Sequence, residues 1–152
     1  MKTEASIRSA RTQDMAACAN ILNDWIDATQ WMPRIHSHEE VVQHYSTTVF
    51  RERKTFVVEA DLQIVGFFAL GPDQTVTALY VKDGFRRQGL GHLMLQRARR
   101  ECDSRLQLWV FQKNTDAVQF YLHEGFVILN STDGDYDEGL PDYLLEWQAG
   151  EA

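Results

Sequence analysis

The stretch Val81-Lys82-Asp83-Gly84-Phe85-Arg86-Arg87-Gln88-Gly89-Leu90-Gly91-His92 decides the fold of this chain. It connects a strand-like run, 75–81, to an amphipathic pattern that predicts a helix. A helix start has free backbone N–H groups and the positive end of the helix dipole, which suit a phosphate group. The two glycines before the helix allow close approach and unusual torsions, and Arg86 and Arg87 add forked positive charges. The turn therefore predicts a pyrophosphate-binding site.

Three phosphate-binding patterns compete for this turn. A Walker A loop requires Lys-Ser or Lys-Thr after its last glycine, and neither follows Gly91. The dinucleotide fingerprint requires a third glycine at the position of Met94. The pattern that fits is [QR]-x-x-G-x-[GA], read as Arg86, Gly89 and Gly91. On this stretch alone, a plain strand-to-helix turn with two solvated arginines remains the alternative.

A second segment, 114–126, reads Asn-Thr-Asp-Ala-Val-Gln-Phe-Tyr-Leu-His-Glu-Gly-Phe and follows the apolar run 106–111. Asn114 is a good helix N-cap, and Gly125 suits the helix stop. The residues between them repeat at helical spacing, so one face carries alanine and aromatic side chains. The segment predicts a second helix that follows a strand.

These two motifs, in this order, resemble the GNAT acyltransferase superfamily, in which the glycine turn binds the pyrophosphate of acetyl-CoA. The resemblance is sharpest over 75–126. It implies a single domain, 1–152, with an α/β (α+β) GNAT fold: a mixed, mostly antiparallel sheet of six to seven strands flanked by about four helices. It also implies an N-acetyltransferase that moves an acetyl group from acetyl-CoA to a primary amine by direct attack through a tetrahedral intermediate.

The same resemblance assigns residues to the co-substrate. Strand amides near Tyr80 and Val81 are expected to hold the acyl carbonyl and the pantetheine arm, and Tyr121 to act as general acid or as a donor to the leaving thiolate. A core tyrosine packed beside Phe120 is the structural alternative for Tyr121. The full set expected to bind acetyl-CoA is Leu79, Tyr80, Val81, Arg86, Arg87, Gln88, Gly89, Leu90, Gly91, His92, Asn114, Ala117 and Tyr121.

The general base is left open by the sequence. Many GNAT enzymes use a glutamate on or near the strand 75–81, but this strand has no carboxylate. His36 and His38 are candidates because histidine titrates nearest to neutral pH. Glu59, the acids of 133–142 and a chain of water molecules are the alternatives.

The acceptor site is expected near the segment 31–36, because the resemblance places the region between the first two helices beside the acceptor. Trp31 is a candidate lining residue, Arg34 a candidate partner for a substrate carboxylate, and Asp137 a candidate partner for a cationic amine. A loop that packs its own side chains on the core is the alternative. Three further aromatic residues are expected to be structural: Trp25, Trp109 and Phe111.

The acceptor is expected to be a small molecule, on the weak indication of an acidic surface and the aromatic-rich region 25–35. A protein N-terminus or lysine is the alternative within enzymes. A non-catalytic sensor domain that binds coenzyme A is the alternative outside them. Family members are often dimers, which leaves a homodimer open.

Composition limits the remaining classes. The 152 residues carry a net charge of −7, which argues against nucleic-acid binding. No long apolar run predicts a signal peptide or a membrane span. Cys18 and Cys102 lie in helical patterns, so buried thiols in a reducing cytoplasm are expected. The acidic run 133–139 matches an EF-hand only in part and no His/Cys cluster has zinc spacing, so no metal is expected.

The remaining elements follow from periodicity and caps. Thr12 is expected to cap a first helix, and Ser37 with Glu40 has capping-box spacing for a second. The predicted strands are 6–10, 55–59, 64–70, 75–81, 106–111, 126–129 and 143–147, with a helix at about 90–103 and another after Asn114.

Overall fold

The structure is a computed structural model that describes residues 4–134 and 139–150. Within those residues, seven strands form one sheet in the order β1-β2-β3-β4-β5-β7-β6. The strands are β1 (Ser6–Ser9), β2 (Lys54–Ala60), β3 (Gln63–Gly71), β4 (Thr75–Val81), β5 (Arg105–Phe111), β6 (Val127–Ser131) and β7 (Asp142–Gln148). Every neighbouring pair is antiparallel except β4 with β5. The predicted mixed, mostly antiparallel sheet is confirmed.

The helices that flank the sheet are α1 (Met15–Ala28), α2 (His38–His44), α3 (Phe50–Glu52), α4 (Leu90–Cys102) and α5 (Thr115–His123). A π-helical turn, Tyr45–Val49, joins α2 to α3 without a break. The described chain therefore has four helical segments, as expected from the sequence.

The two helix starts predicted from capping signals have different outcomes. The capping box is confirmed, because the Glu40 N–H donates to Ser37 Oγ at 3.1 Å and the Ser37 N–H donates to Glu40 Oε1 at 2.9 Å. The prediction that Thr12 caps α1 is wrong: Thr12–Asp14 forms a short 3₁₀ turn, and α1 begins at Met15. The Asp14 carboxylate accepts the Arg11 N–H at 2.7 Å and so organises this entry instead.

Helices cover both faces of the sheet and create two hydrophobic cores. On one face, here the α4 face, α4 and α5 pack over a core that includes Phe56, Leu95 and Tyr121. On the other, the α1 face, α1 and α2 pack over a core that includes Met15 and Phe67. Because side chains alternate along a strand, the residues of β4 and β5 divide between these two faces.

The sheet is split along the line between β4 and β5. These two strands pair only through Thr75 with Gln107 and Val76 with Leu108. Each strand nevertheless stays paired with its other neighbour to its end, β4 with β3 and β5 with β7. Beyond Val76 the two halves of the sheet therefore diverge, and a cleft opens between them.

Cys18 and Cys102 are both free thiols and both buried, as predicted. Burial raises the pKa of the Cys18 thiol to about 12 and also raises the pKa of Cys102. Among the described residues, no helix combines the length and the apolar character needed to cross a membrane.

Candidate active site

The cleft between β4 and β5 has a volume of about 870 Å³ and reaches both faces of the sheet. On the α4 face it is bounded by the glycine turn and the start of α5, and on the α1 face by aromatic residues of α1 and of the loop after it. Twelve of the residues expected to bind acetyl-CoA line it: Leu79, Tyr80, Val81, Arg86, Arg87, Gly89, Leu90, Gly91, His92, Asn114, Ala117 and Tyr121. Gln88, which was also expected there, is not among the lining residues.

The glycine turn presents a helix start to the cleft. Gly89 is the N-cap of α4 and has a left-handed backbone, with φ of 82°. The Leu93 N–H makes the first bond of the helix, to the Gly89 carbonyl at 3.1 Å. The N–H groups of Leu90, Gly91 and His92 therefore lie ahead of the first intrahelical bond, as a phosphate-binding helix start requires.

Positive charge surrounds this helix start. Arg86 and Arg87 line the cleft and are exposed, and neither forms an ion pair with another described residue. Arg87 has φ of 63°, in the left-handed region that favours glycine. The strained turn holds two arginine side chains beside the N-terminus of α4, where they can neutralise a pyrophosphate.

Gly91 has a different reason to be glycine from the one expected. It lies inside α4 and needs no unusual torsion. A Cβ atom at Gly91 would lie 2.8 Å from Cζ of Phe120, so a side chain there would collide with the ring. The absent side chain lets α4 and α5 approach each other beside the cleft.

Helix α5 begins at the cleft with the predicted cap. The Ala117 N–H donates to Asn114 Oδ1 at 3.4 Å, and both residues line the cleft. Gly125, with φ of 98°, follows the helix end as expected. These two signals fix the span of α5 and with it the position of Tyr121.

Tyr121 lies between the glycine turn and the sheet. Its side chain is buried in the α4-face core, packed against Phe120 and Phe126 with ring centroids 5.2 and 5.5 Å away, and it also lines the cleft. Burial raises the pKa of the Tyr121 phenol well above its usual value, and Tyr80 adds to this effect. The phenol therefore keeps its proton at neutral pH and has it available inside the cleft.

The α1 face of the cleft is a continuous line of rings, called here the aromatic row: Tyr80, Trp25, Trp31 and Phe111. Successive centroids are 5.5, 5.7 and 5.8 Å apart. Trp109, on the same side of β5 as Phe111, lines the cleft beside the row and is 43% exposed.

Trp25, Trp109 and Phe111, which were expected to be structural, all line the cleft. Leu106, Leu108 and Val110 pack in the α4-face core, which turns the alternate residues Trp109 and Phe111 to the other face. That alternation is visible in the sequence and was the signal that could have identified them.

Arg34 has another role than a substrate partner. Its guanidinium donates to Asn23 Oδ1 at 3.0 Å, to Asp27 Oδ1 at 2.8 Å and to the carbonyls of Asn23 and His36. Asn23 itself is buried in α1. Arg34 therefore ties the loop after α1 back onto α1, and it does not line the cleft.

The two histidines also lie away from the cleft lining. His38 Nε2 is 2.7 Å from Asp27 Oδ2, and His36 Nδ1 is 3.9 Å from Glu40 Oε2. Both side chains are more than half exposed. The geometry gives neither histidine access to an amine held in the cleft.

Two other candidates for the base, Glu59 and Asp142, do not line the cleft either. Glu59 pairs with Arg8 on β1, at the far side of the sheet. Asp137 lies outside the described residues. Among the described lining residues Asp116, exposed in the first turn of α5, is the one carboxylate. No described set of three or more His, Cys, Asp and Glu side chains could hold a metal ion.

A helix start that can bind a pyrophosphate, a split between two parallel strands and a protonated tyrosine fit a domain that binds an acyl-CoA thioester. Residues 19–141 match the family model described as an acetyltransferase (GNAT) domain. The chain belongs to the GNAT acetyltransferase family and is an acyl-CoA-dependent N-acyltransferase, as the sequence resemblance implied.

Similar proteins cover nearly the whole chain. Peptidyl-lysine N-acetyltransferase YiaC of Escherichia coli (strain K12) is 26% identical over 144 residues, which are 93% of this chain and 95% of that protein. The solution structure of apo YjaB from Escherichia coli has a TM-score of 0.77 at 24% identity, covering 95% of this chain and 97% of that one. The structure of yncA from Salmonella typhimurium with its cofactor acetyl-CoA has a TM-score of 0.74 at 20% identity, covering 99% and 96%.

Proposed function

We propose that this enzyme transfers an acetyl group from acetyl-CoA to the primary amine of a small molecule. The observation that carries the proposal is the cleft itself, which connects the cationic glycine turn on the α4 face to the aromatic row on the α1 face. Donor and acceptor would enter from opposite faces and meet at the split between β4 and β5.

A single domain would carry the whole reaction. Its two buried free thiols fit a reducing compartment, so we place the reaction in the cytoplasm.

The residues present fit acetyl-CoA. The left-handed Gly89 and the free N–H groups that follow it suit the pyrophosphate, with Arg86 and Arg87 to neutralise it. The pairing of β4 with β5 ends at Val76, so backbone groups near Leu79 and Val81 could serve the polar pantetheine arm. When bound, acetyl-CoA supplies the activated acyl group as a thioester.

Tyr121 would serve the leaving group. A thiol has an unperturbed pKa of about 8.5 and a phenol about 10, and burial raises the pKa of Tyr121 further. The phenol therefore stays protonated and can donate a hydrogen bond, or its proton, to the departing sulfur. Its packing against Phe120 and Phe126 would hold the hydroxyl in one place.

The acceptor must lose a proton before it attacks. A lysine-like amine with a pKa of about 10.4 is roughly one-thousandth neutral at pH 7. Because the described lining offers a single exposed carboxylate, Asp116, we propose that water in the open cleft carries this proton to solvent. His36 and His38 are not needed for this route.

A lysine side chain of a protein is the second candidate acceptor. The observation that favours it is the similarity to a peptidyl-lysine N-acetyltransferase over nearly the whole length of both chains. The aromatic row favours the small molecule, because it lines the acceptor side with ring surface on which a small apolar group can pack.

The experiment is a thiol-release assay with purified protein and acetyl-CoA. The acceptors are free primary amines in one set and blocked lysine peptides in the other, with hydrolysis in the absence of acceptor as the blank. Faster release with free amines supports the proposal, and faster release with peptides favours the second candidate. Calorimetry with acetyl-CoA alone provides a separate check, since absence of binding would overturn both.

A further inference from the structure

The aromatic row has the properties of a recognition surface for a flat apolar group. Trp31 meets Trp25 at 81° and Phe111 at 73°, so its ring stands edge-on between the two. Aromatic pairs prefer such edge-to-face arrangements, which stabilise the position of the Trp31 ring. Trp25, Trp31 and Phe111 are only partly buried, so ring surface remains available to a ligand.

The row is held in place before any ligand arrives. Thr29 Oγ1 donates to the Trp25 carbonyl at 2.6 Å, just before the loop that carries Trp31. After Trp31, the Arg34 guanidinium bonds Asn23 and Asp27 of α1. Both ends of this short loop are therefore tied to the same helix. A preorganised surface binds with a smaller loss of conformational entropy.

The row begins beside the reacting end of the cleft. Tyr80 packs on Trp25 and is also close enough to Tyr121 to affect its pKa. Trp25 and Trp31 line the same cleft as Tyr121, so a ligand stacked along these two rings would share the cavity with the Tyr121 hydroxyl and could reach it with an amine on a short alkyl chain. Recognition of that ligand would depend on apolar contact, because the rings of the aromatic row carry no charge.

We infer that the acceptor is an arylalkylamine, a primary amine joined by a short alkyl chain to a flat aromatic ring. The inference rests on the proposed acetyl transfer for its chemistry but on the aromatic row for its specificity. The neutral amine attacks the thioester carbon and forms the amide C–N bond. The C–S bond breaks, the sulfur leaves as a thiolate that accepts a hydrogen bond from the Tyr121 hydroxyl, and the amine's surplus proton goes to water.

The experiment compares acceptors that differ in the ring. We expect kcat/KM for phenethylamine and tryptamine to exceed that for butylamine and Nα-acetyl-lysine methylamide by about tenfold or more, which corresponds to 1.4 kcal/mol. In Trp31→Ala the ratio of aryl to alkyl kcat/KM should fall toward one, and Trp31→Phe should recover part of it. Phe50→Ala, an exposed ring that does not line the cleft, is the matched control and should keep the ratio.

A binding measurement separates this inference from the proposed function. Calorimetric titration of phenethylamine and butylamine into the protein saturated with coenzyme A needs no turnover. Tighter binding of phenethylamine that Trp31→Ala abolishes supports the aromatic site even if no amine is acetylated. Equal or weaker binding of phenethylamine, or an alkyl preference in kcat/KM, overturns it while leaving acetyl transfer intact.

Discussion

The ring of Phe120 occupies the space that a side chain at Gly91 would need, with its Cζ atom 2.8 Å from the position of a Cβ. Gly91→Ala should therefore destabilise the protein, although alanine is the better helix former by about 0.8–1 kcal/mol. Overpacking costs about 1–3 kcal/mol, so we expect a net loss of about 1 kcal/mol in urea unfolding. Phe120→Leu removes the edge of the ring that would collide with a side chain at Gly91.

The double variant Gly91→Ala/Phe120→Leu tests the cause. If the collision is responsible, alanine should be neutral or stabilising in the leucine background, which gives a favourable interaction energy in the double-mutant cycle. Additive losses would show that Phe120 is not the obstacle. Gly150→Ala, where a Cβ meets nothing within 4 Å, is the control for glycine replacement.

Arg87 combines a strained backbone with a charge at the glycine turn. Arg87→Gly should raise stability by about 1 kcal/mol, because a left-handed non-glycine residue costs about 1–2 kcal/mol. The same change should weaken acetyl-CoA binding, since a cation beside the pyrophosphate is lost. Arg87→Ala should weaken binding equally without the gain in stability. Thermal unfolding and calorimetry measure the two effects, and a stability gain with unchanged affinity would remove Arg87 from the donor site.

Tyr121→Phe should lower turnover by about tenfold or more, within the range of a lost acid catalyst, and leave acetyl-CoA affinity nearly unchanged. Because the pKa of the phenol is raised, we expect no fall in wild-type kcat between roughly pH 7 and pH 9. Adding Phe120→Tyr to Tyr121→Phe moves the hydroxyl to the neighbouring position. This double variant should not recover turnover. Normal turnover in Tyr121→Phe would assign this residue to packing alone.

Asp14 makes the stability of the fold depend on pH. It accepts two bonds from Arg8, at 2.7 and 3.1 Å, and one from the Arg11 N–H, and these lower its pKa in the folded state. A lowered pKa means that its stabilisation is complete above the unfolded pKa of about 3.9 and is lost as pH falls through the folded pKa.

Asp14→Asn should therefore cost about 1.5–3 kcal/mol at pH 7, the range for hydrogen bonds to a charged group. The difference in the free energy of unfolding between wild type and Asp14→Asn should shrink below roughly pH 4. Urea unfolding at several pH values measures both. Asp24→Asn, an exposed residue of α1, provides the control. A cost that stays constant with pH would mean that the carboxylate charge contributes nothing.

The glycine turn and α5 could be predicted from the sequence because their signals are local. Asn114, Gly125 and Gly89 each specify the backbone at or next to their own position, and the structure has those backbones. Gly91 shows the limit of such reasoning. Its reason is a ring on another helix, so the sequence identified the residue but assigned it the wrong cause.

The acceptor side could be predicted only in part, because it is built from contacts between distant segments. Trp31 meets Phe111 across the cleft, and no local pattern pairs a loop after α1 with the end of β5. Arg34 was expected to face a ligand, yet its long side chain turns back to α1 and finds its acceptors there. Exposed histidines looked suitable by chemistry alone, and only their location separates them from the cleft.

Because β4 and β5 share only two residue pairs, the sheet consists of two well-paired halves that are joined along a short contact. A ligand bound in the cleft would contact residues of both β4 and β5 and so stabilise the folded state. At a ligand concentration of 100 times Kd, binding would raise the free energy of unfolding by about 2.7 kcal/mol. The stability of the folded protein would therefore rise with the concentration of the ligand that fills the cleft.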